Sequence, residues 1–290
     1  MRTIAALLVS VCVAQSAPAG GEFPGRSLFL GQGANAVEVA DIDLDGDLDA
    51  LVLDALGRQL HALVGDGSGA LTVAGSTLVG SNPSTDTPST LALGDFDGDG
   101  RVDAAIGHPF ADKVTIVRNL GNASFSVFGT LTFVASPSAP ISQLHCAELD
   151  ADGRTDLVIV RNAGIYVSLA QPGFGLGSPT LAVAIPSTTI SVASRDFDGD
   201  GAAELLVGTV GPALQLYAND GNAVFAASWS SPTNAFDTQA LALADIDGDG
   251  DDDVVRVGEF DEPVVLRGDG SGAFVDPTAL PTASFSVRVE

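Results

Sequence analysis

A nine-residue acidic segment, repeated five times along the chain, decides the fold. We call the copies loops 1 to 5 and count positions 1 to 9 within each. They read Asp41-Ile-Asp-Leu-Asp-Gly-Asp-Leu-Asp49, Asp95-Phe-Asp-Gly-Asp-Gly-Arg-Val-Asp103, Glu148-Leu-Asp-Ala-Asp-Gly-Arg-Thr-Asp156, Asp196-Phe-Asp-Gly-Asp-Gly-Ala-Ala-Glu204 and Asp245-Ile-Asp-Gly-Asp-Gly-Asp-Asp-Asp253. Their first residues are 54, 53, 48 and 49 residues apart. A period of this length is typical of proteins built from repeated supersecondary units.

The residues around each loop follow patterns that are typical of β-strands. Positions four and two before a loop are mostly apolar, as in Val37 and Val39, and this period of two predicts a strand that ends at the loop. Two short apolar runs after the loop predict a second and a third strand. A glycine-containing turn follows 25 or 26 residues after the first acid, at Gly67, Gly121, Gly173, Gly221 and Gly270, and a fourth strand follows the turn. The sequence therefore predicts an all-β protein, a β-propeller of about five four-stranded blades.

These loops and turns, often followed by a phenylalanine (Phe125, Phe174, Phe225 and Phe274), resemble FG-GAP/VCBS repeats. Integrin α-subunit propellers belong to the same broad family. The resemblance covers nearly all of residues 20–290, although Glu148 and Glu204 replace aspartates and the literal Phe-Gly and Gly-Ala-Pro signatures are not reproduced. It implies a cell-adhesion or recognition module that binds protein or glycan partners through loops between its blades.

The spacing of the acids predicts calcium binding. Calcium takes about six to eight oxygen ligands, and alternate residues of a tight loop can point carboxylates at one centre. Positions 1, 3, 5 and 9 supply carboxylates, position 7 supplies its backbone carbonyl, and the invariant glycine at position 6 lets the chain reverse. We therefore expect about five calcium ions, held by Asp41, Asp43, Asp45, Asp47, Asp49, Asp95, Asp97, Asp99, Arg101, Asp103, Glu148, Asp150, Asp152, Arg154, Asp156, Asp196, Asp198, Asp200, Ala202, Glu204, Asp245, Asp247, Asp249, Asp251 and Asp253.

Composition narrows the classes of partner. The chain of 290 residues is 46% apolar, which excludes a disordered acidic chain. It carries 37 Asp and Glu against 12 Lys and Arg, a formal charge of -25, and such a surface repels nucleic acid. The loops hold 23 of the acids, and five calcium ions would bring the charge to -15.

The first residues predict export. Arg2 precedes an apolar run over residues 4–14, and small residues follow it, as in a signal peptide over residues 1–19. The run is too short to span a bilayer, which needs about 20 residues. We expect a secreted, extracellular or cell-envelope protein whose propeller occupies residues 20–290, with no transmembrane segment.

No sequence pattern indicates catalysis. The histidines His61, His108 and His145 fall at variable positions of the repeat, which predicts surface or blade-edge locations. Cys146 lies in an apolar strand register and is interpreted as a buried, inert thiol. We therefore expect a non-catalytic recognition or adhesion scaffold. The alternative is a carbohydrate-active enzyme, such as a polysaccharide lyase or hydrolase, or a lectin built on the same propeller.

The sequence at the two ends of the chain does not decide whether the blades close into a ring. Residues 27–30 resemble a fourth strand, and Phe285, Val287 and Val289 alternate like the strand before a loop. One arrangement is a closed five-bladed ring, which is the simpler expectation. The other is an incomplete ring belonging to a six- or seven-bladed propeller. The oligomeric state stays open.

Overall fold

The computed structural model describes residues 33–82, 86–133, 140–161, 164–173, 175–185, 189–209, 214–231, 238–258 and 264–275. These residues form twenty β-strands: β1 Ala34–Ala40, β2 Asp49–Asp54, β3 Gln59–Gly65, β4 Leu71–Leu78, β5 Thr90–Gly94, β6 Asp103–His108, β7 Lys113–Asn119, β8 Phe125–Thr132, β9 Ile141–Ala147, β10 Asp156–Arg161, β11 Gly164–Ser168, β12 Thr180–Ala184, β13 Thr189–Arg195, β14 Glu204–Thr209, β15 Leu214–Asn219, β16 Phe225–Ser230, β17 Thr238–Ala244, β18 Asp253–Gly258, β19 Val264–Gly268 and β20 Phe274–Val275. The proposed signal peptide, residues 27–30, Phe174 and residues 285–289 lie outside the described residues.

Five four-stranded antiparallel sheets confirm the predicted all-β propeller. Each sheet takes four consecutive strands in chain order, so that blade 1 is β1 to β4 and blade 5 is β17 to β20. The first strand of every blade ends directly before its acidic loop, and position 9 of the loop begins the second strand. The repeat read from the sequence is therefore the structural blade. Within the described ranges the structure contains no helix that could cross a membrane.

The hydrophobic core lies between neighbouring blades. Leu51 and Leu53 of blade 1 pack with Leu91 and Ile106 of blade 2, and similar clusters join each later pair. The first strands of successive blades also contact one another in order, from β1 to β17. Because each sheet has apolar side chains on both faces, a blade is stabilised mainly by its two neighbours.

Among the described residues the sheets do not close into a ring. Val37 and Val39 of blade 1 are 37% and 39% exposed, whereas Leu91, which corresponds to Val37 in blade 2, is 6% exposed. At the other end of the arc, Val257 of blade 5 is 37% exposed, whereas Leu53, the residue at the same repeat position in blade 1, is fully buried. The expectation of a closed five-bladed ring is therefore wrong for this part of the chain, and the incomplete ring is observed.

Candidate metal centres

All five acidic loops lie at the same end of their blades, next to the turn between the third and fourth strands. In blade 1, Gly67 of that turn lies against Asp47 of loop 1. A Cβ added to Gly67 would be only 2.6 Å from Oδ1 of Asp47. Gly270 of blade 5 stands in the same relation to Asp251, at 2.7 Å. Nothing lies within 4 Å of a Cβ added to Gly173 or Gly221, so the feature that all five turn glycines share is their left-handed backbone conformation.

The acid at position 9 fastens each loop to the blade. In loop 1, Ile42 donates its amide to Oδ2 of Asp49 at 2.8 Å, and Gly65 at the end of β3 donates to Oδ1 at 2.7 Å. Asp103, Asp156 and Asp253 accept the corresponding pairs of amides, and Glu204 accepts the amide of Phe197. All five acids are almost fully buried. Position 9 therefore joins the loop to the third strand through protein contacts alone.

The acid at position 1 shapes the loop from inside. Asp41 accepts the amides of Leu44 at 2.7 Å and Gly46 at 3.0 Å, and the aspartates that begin loops 2, 4 and 5 accept the equivalent amides. Glu148 of loop 3 accepts instead from the amides of Asp150 and Asp152, at 3.3 and 3.2 Å. The longer side chain therefore changes the internal geometry of that loop.

Two positions of each loop adopt left-handed backbone conformations. Position 6 has φ between 80° and 100° in all five copies, as its glycines predict. Position 4 is also left-handed, including at Leu44 (φ 66°) and Ala151 (φ 58°). Nothing lies within 4 Å of a Cβ added to any position 6 glycine, so backbone conformation and not space favours glycine there. The sequence offered no signal for position 4 in loops 1 and 3.

Each loop gathers carboxylate oxygens closely enough to share one ion. Three acids in every loop have oxygens within 4.8 Å of one another: Asp41, Asp43 and Asp49; Asp95, Asp97 and Asp99; Glu148, Asp150 and Asp156; Asp196, Asp198 and Glu204; Asp245, Asp247 and Asp249. Calcium bonds of roughly 2.3–2.6 Å place two ligand oxygens at most about 5 Å apart. Positions 1 and 3 belong to all five clusters, whereas the third member is position 5 or position 9. The remaining predicted ligands, which include the position 7 carbonyls, stay predictions.

Several buried carboxylate oxygens in the clusters have no hydrogen-bond partner. They are Oδ1 of Asp43, Oδ2 of Asp97, Oδ1 of Asp150 and Oε1 of Glu204, of which Oδ2 of Asp97 lies in an ion pair with Arg118. A buried polar atom without a partner costs stability, and nearly all such atoms in native proteins are satisfied. Burial also raises the pKa of Asp103 to about 7, of Asp156 to about 6 and of Glu204 to about 7, and nearby loop acids add to the rise. The oxygen-rich, anionic donor set and its unpartnered atoms therefore fit a hard divalent cation.

Arginines lie against three of the loops. At position 7, the side chains of Arg101 and Arg154 form ion pairs with the position 5 acids of their own loops. Two further arginines come from third strands: Nη2 of Arg118 lies 2.6 Å from Oδ2 of Asp97, and Nη1 of Arg267 lies 2.7 Å from Oδ2 of Asp247. Sequence reasoning missed these two contacts, since the arginines lie about 20 residues beyond the acids that they reach.

Hydrogen bonds also connect the loops of neighbouring blades. Ala203 at position 8 of loop 4 donates its amide to the carbonyl of Glu148 in loop 3 at 2.8 Å. The side-chain amide of Asn119 in blade 2 donates to the carbonyl of Ile42 in loop 1 at 2.8 Å, and Asn219 of blade 4 does the same to Leu149 in loop 3 at 2.9 Å. Thr155 of loop 3 likewise donates its amide to the carbonyl of Asp95 in loop 2 at 3.3 Å, so loops 1 to 4 form a connected row.

Two of the histidines are buried, which corrects the expectation of surface or blade-edge positions. His108 is fully buried, with Nδ1 2.8 Å from Oδ1 of Asp86 and Nε2 2.9 Å from Oγ1 of Thr115. His61 is buried, with Nδ1 2.7 Å from Oγ of Ser76. Cys146 is free and half-buried, and burial raises the pKa of its thiol well above the ordinary range, in agreement with an inert thiol.

A polar groove of about 140 Å³ lies between blades 1 and 2. One wall is β4, and the other is the turn before β8 in blade 2. Hydroxyl and amide side chains line it alongside apolar ones: Ser76, Thr77, Asn122 and Ser124. A second groove of about 130 Å³ occupies the equivalent place between blades 2 and 3 and is mostly apolar. Neither groove is lined by a titratable side chain.

A comparison with family models matches the chain to the FG-GAP-like repeat at residues 41–106, 95–159, 148–207 and 196–256, which together span well over half of it. A search of curated proteins finds no match.

Solved structures share the fold. A lectin of Agrocybe aegerita that specifically recognises non-reducing terminal N-acetylglucosamine is 20% identical, with a TM-score of 0.61, over 83% of this chain and 64% of the lectin. A protein from Lactobacillus plantarum is 16% identical, with a TM-score of 0.58, over 84% of this chain and 70% of that protein. The chain thus spans less than two thirds of the lectin's length, and at these identities the likeness shows the propeller fold alone.

Proposed function

Because the chain belongs to the FG-GAP-like repeat family, we propose that it is an exported, calcium-stabilised propeller that acts as a non-catalytic recognition or adhesion scaffold for an extracellular protein or glycan. The observation that carries the calcium assignment is the recurrence of one oxygen cluster in all five loops. The buried, unpartnered oxygens of Asp43, Asp150 and Glu204 support it, since a cation would satisfy them.

The acids at positions 1 and 3 would hold the ion in every loop, with position 5 or position 9 completing the carboxylate set. Bound calcium would supply positive charge that offsets the repulsion among these acids. The protein's own part is to preorganise the site: position 1 closes the loop on its amides, and position 9 ties it to the third strand. Affinity in the range of extracellular modules, about 10⁻⁴–10⁻³ M, fits such exposed loops.

Calcium titration by calorimetry tests this assignment. The wild type should bind several calcium ions, and Asp43→Asn should remove or weaken one of them. Asp220→Asn is the matched control, because Asp220 is an exposed acid in the turn after β15, outside every cluster. Absence of calcium binding by the wild type would refute the proposal.

A lectin is the more specific candidate for the recognition role. The groove between blades 1 and 2 offers hydroxyl and amide groups beside apolar surface, and sugar hydroxyls pair with such groups. The absence of titratable side chains from both grooves supports binding over catalysis there. The likeness to an N-acetylglucosamine-binding lectin supports the same choice of ligand class without deciding it.

A glycan array that includes terminal N-acetylglucosamine, followed by titration of any hit, tests the lectin candidate. Asn122→Ala should weaken a true ligand of the groove, whereas Asn222→Ala, the equivalent asparagine in the turn of blade 4, should leave binding unchanged. Binding only to protein partners in a parallel screen would favour the adhesion role.

Export is tested separately, by sequencing the N-terminus of the secreted protein. The secreted protein should begin after about residue 19.

A further inference from the structure

One position of the repeat distinguishes loops 2 and 5 from the others. Near the end of the third strand, one residue donates its backbone amide to the acid at position 9, and the position in question is the residue directly before that donor. The five blades carry Val64, Arg118, Leu169, Ala218 and Arg267 there. Two of five copies thus place a long cationic side chain where the other three have an aliphatic one.

Both arginines reach the same carboxylate of their loops. Nη2 of Arg118 lies 2.6 Å from Oδ2 of Asp97 and 3.2 Å from Oδ2 of Asp99. Nη1 of Arg267 lies 2.7 Å from Oδ2 of Asp247. Asp97 and Asp247 both occupy position 3, and Asp97, Asp99 and Asp247 are members of the oxygen clusters. Each guanidinium therefore pairs with an oxygen that would otherwise be offered to a metal.

Loops 1 and 3 have Val64 and Leu169 at the position of these arginines, so the third strand supplies no cation to their position 3 acids. In loops 1 and 3, Oδ1 of Asp43 and of Asp150 is buried without a hydrogen-bond partner. In loops 2 and 5 the position 3 carboxylate lies in an ion pair with an arginine of the third strand, and among the described residues the only charge beside the buried Oδ2 of Asp97 that offsets its own is that of Arg118. A tethered guanidinium is present at any calcium concentration, and it competes with a metal for the oxygen that it pairs with.

We propose that Arg118 and Arg267 are resident cations that lower the calcium affinity of loops 2 and 5 and keep these loops folded at low calcium. This inference rests on the proposed calcium sites. It divides the five loops into two classes at position 3: in loops 1, 3 and 4 calcium would supply the positive charge beside the position 3 acid, and in loops 2 and 5 an arginine of the third strand supplies part of it. Both arginine side chains are partly exposed, so they can leave the cluster when calcium is abundant.

Exchanging the residues of this position between blades tests the inference. Arg118→Val and Arg267→Val install the residue of blade 1, and Val64→Arg makes the reverse change. Arg195→Val is the matched control, because Arg195 pairs with Asp252 at position 8 of loop 5, which belongs to no oxygen cluster. The control removes an equal charge from the same face of the protein without uncovering a predicted ligand.

The readouts are the calcium isotherm by calorimetry and the melting midpoint in excess chelator. Arg118→Val and Arg267→Val should each tighten one weak site by about tenfold and lower the midpoint in chelator, and Val64→Arg should weaken one tight site. The control should change neither quantity to a comparable extent.

Unchanged isotherms for all three exchange variants, with normal calcium binding by the wild type, would overturn the inference and leave the proposed function intact. A wild type that binds no calcium would refute the proposed function instead, and the midpoints in chelator would still test the resident cations. If an arginine variant fails to fold in chelator but folds in calcium, the resident role is supported. If an arginine variant fails to fold in both chelator and calcium, Val64→Arg supplies the independent test.

Discussion

At the scale of single residues, the acid at position 9 is both a contact that holds the blade together and a predicted calcium ligand. A sequence cannot separate these two roles. Asp49 resembles the other acids of loop 1, yet both of its oxygens already accept amides from Ile42 and Gly65. Asp45 at position 5 is exposed and accepts only the amide of Asp47 within its own loop. One acid therefore supports the blade with or without metal, and the other contributes mainly charge.

Asp49→Ala should destabilise the protein by about 2–5 kcal/mol even in chelator, because it leaves two buried amides without acceptors. Asp45→Ala should cost much less in chelator and should reduce the stabilisation by calcium. Urea unfolding of both variants with and without calcium separates the roles. Equal losses for the two variants in chelator would contradict this division.

Glu148→Asp should tighten calcium at loop 3. The longer Glu148 accepts the amides of Asp150 and Asp152 in place of the position 6 amide that an aspartate accepts in the other loops. The shorter residue should restore that geometry and lower the rotamer entropy lost on binding. Calorimetry would disagree with this account if the isotherm of the variant matched that of the wild type.

Much of the site could be predicted from sequence because its ligands are local. Four to six acids within nine residues, with a fixed glycine, determine the loop regardless of distant contacts. The pairing of Arg118 with Asp97 could not be read, because it depends on which residue of the third strand faces the loop. The burial of His108 beside Asp86 was missed for the same reason, since Asp86 lies in a linker outside the repeat register.

At the scale of elements, the connection from β4 to β5 is held by a buried polar cluster. Oδ1 of Asp86 lies 2.8 Å from Nδ1 of His108 and 2.7 Å from Nζ of Lys113. Thr115 of β7 bonds the other nitrogen of His108. Burial, partly opposed by the charge of Asp86, lowers the pKa of His108 from 6.5 to about 4.

This cluster predicts acid sensitivity independent of the loops. A folded pKa below the unfolded value means that the unfolded chain binds the proton more tightly, so stability is complete above pH 6.5 and falls as the pH drops towards 4. At constant saturating calcium, the wild type should lose about 2 kcal/mol more than His108→Gln between pH 7.5 and 5. Urea unfolding at the two pH values measures these losses of stability. Equal losses in the wild type and the variant would argue against this cluster as the cause of the acid sensitivity.

At the scale of the whole molecule, the described arc exposes one apolar blade face at each end. Val37 and Val39 lie on the first face, and Val257 lies on the last. Each internal interface pairs equivalents of these two faces, so the ends are complementary to each other. The alternation of apolar residues predicted the blades, but it could not predict closure, which depends on the rotation between sheets.

We expect concentration-dependent association through these faces, measured by light scattering together with small-angle scattering. Val37→Lys combined with Val39→Lys should suppress it, whereas Val127→Lys on the exposed strand β8 should not. A compact monomer at all concentrations, with a closed-ring scattering profile, would count against the open arc in solution.

Thermal unfolding in excess chelator and in millimolar calcium is the most direct test of the central claim, that the five loops are metal sites on which the fold depends. The loops concentrate 23 of the 37 acids of a chain with a formal charge of -25. Their repulsion should lower the melting midpoint by many degrees once calcium is removed, and added calcium should restore it. An identical midpoint under both conditions would contradict the claim.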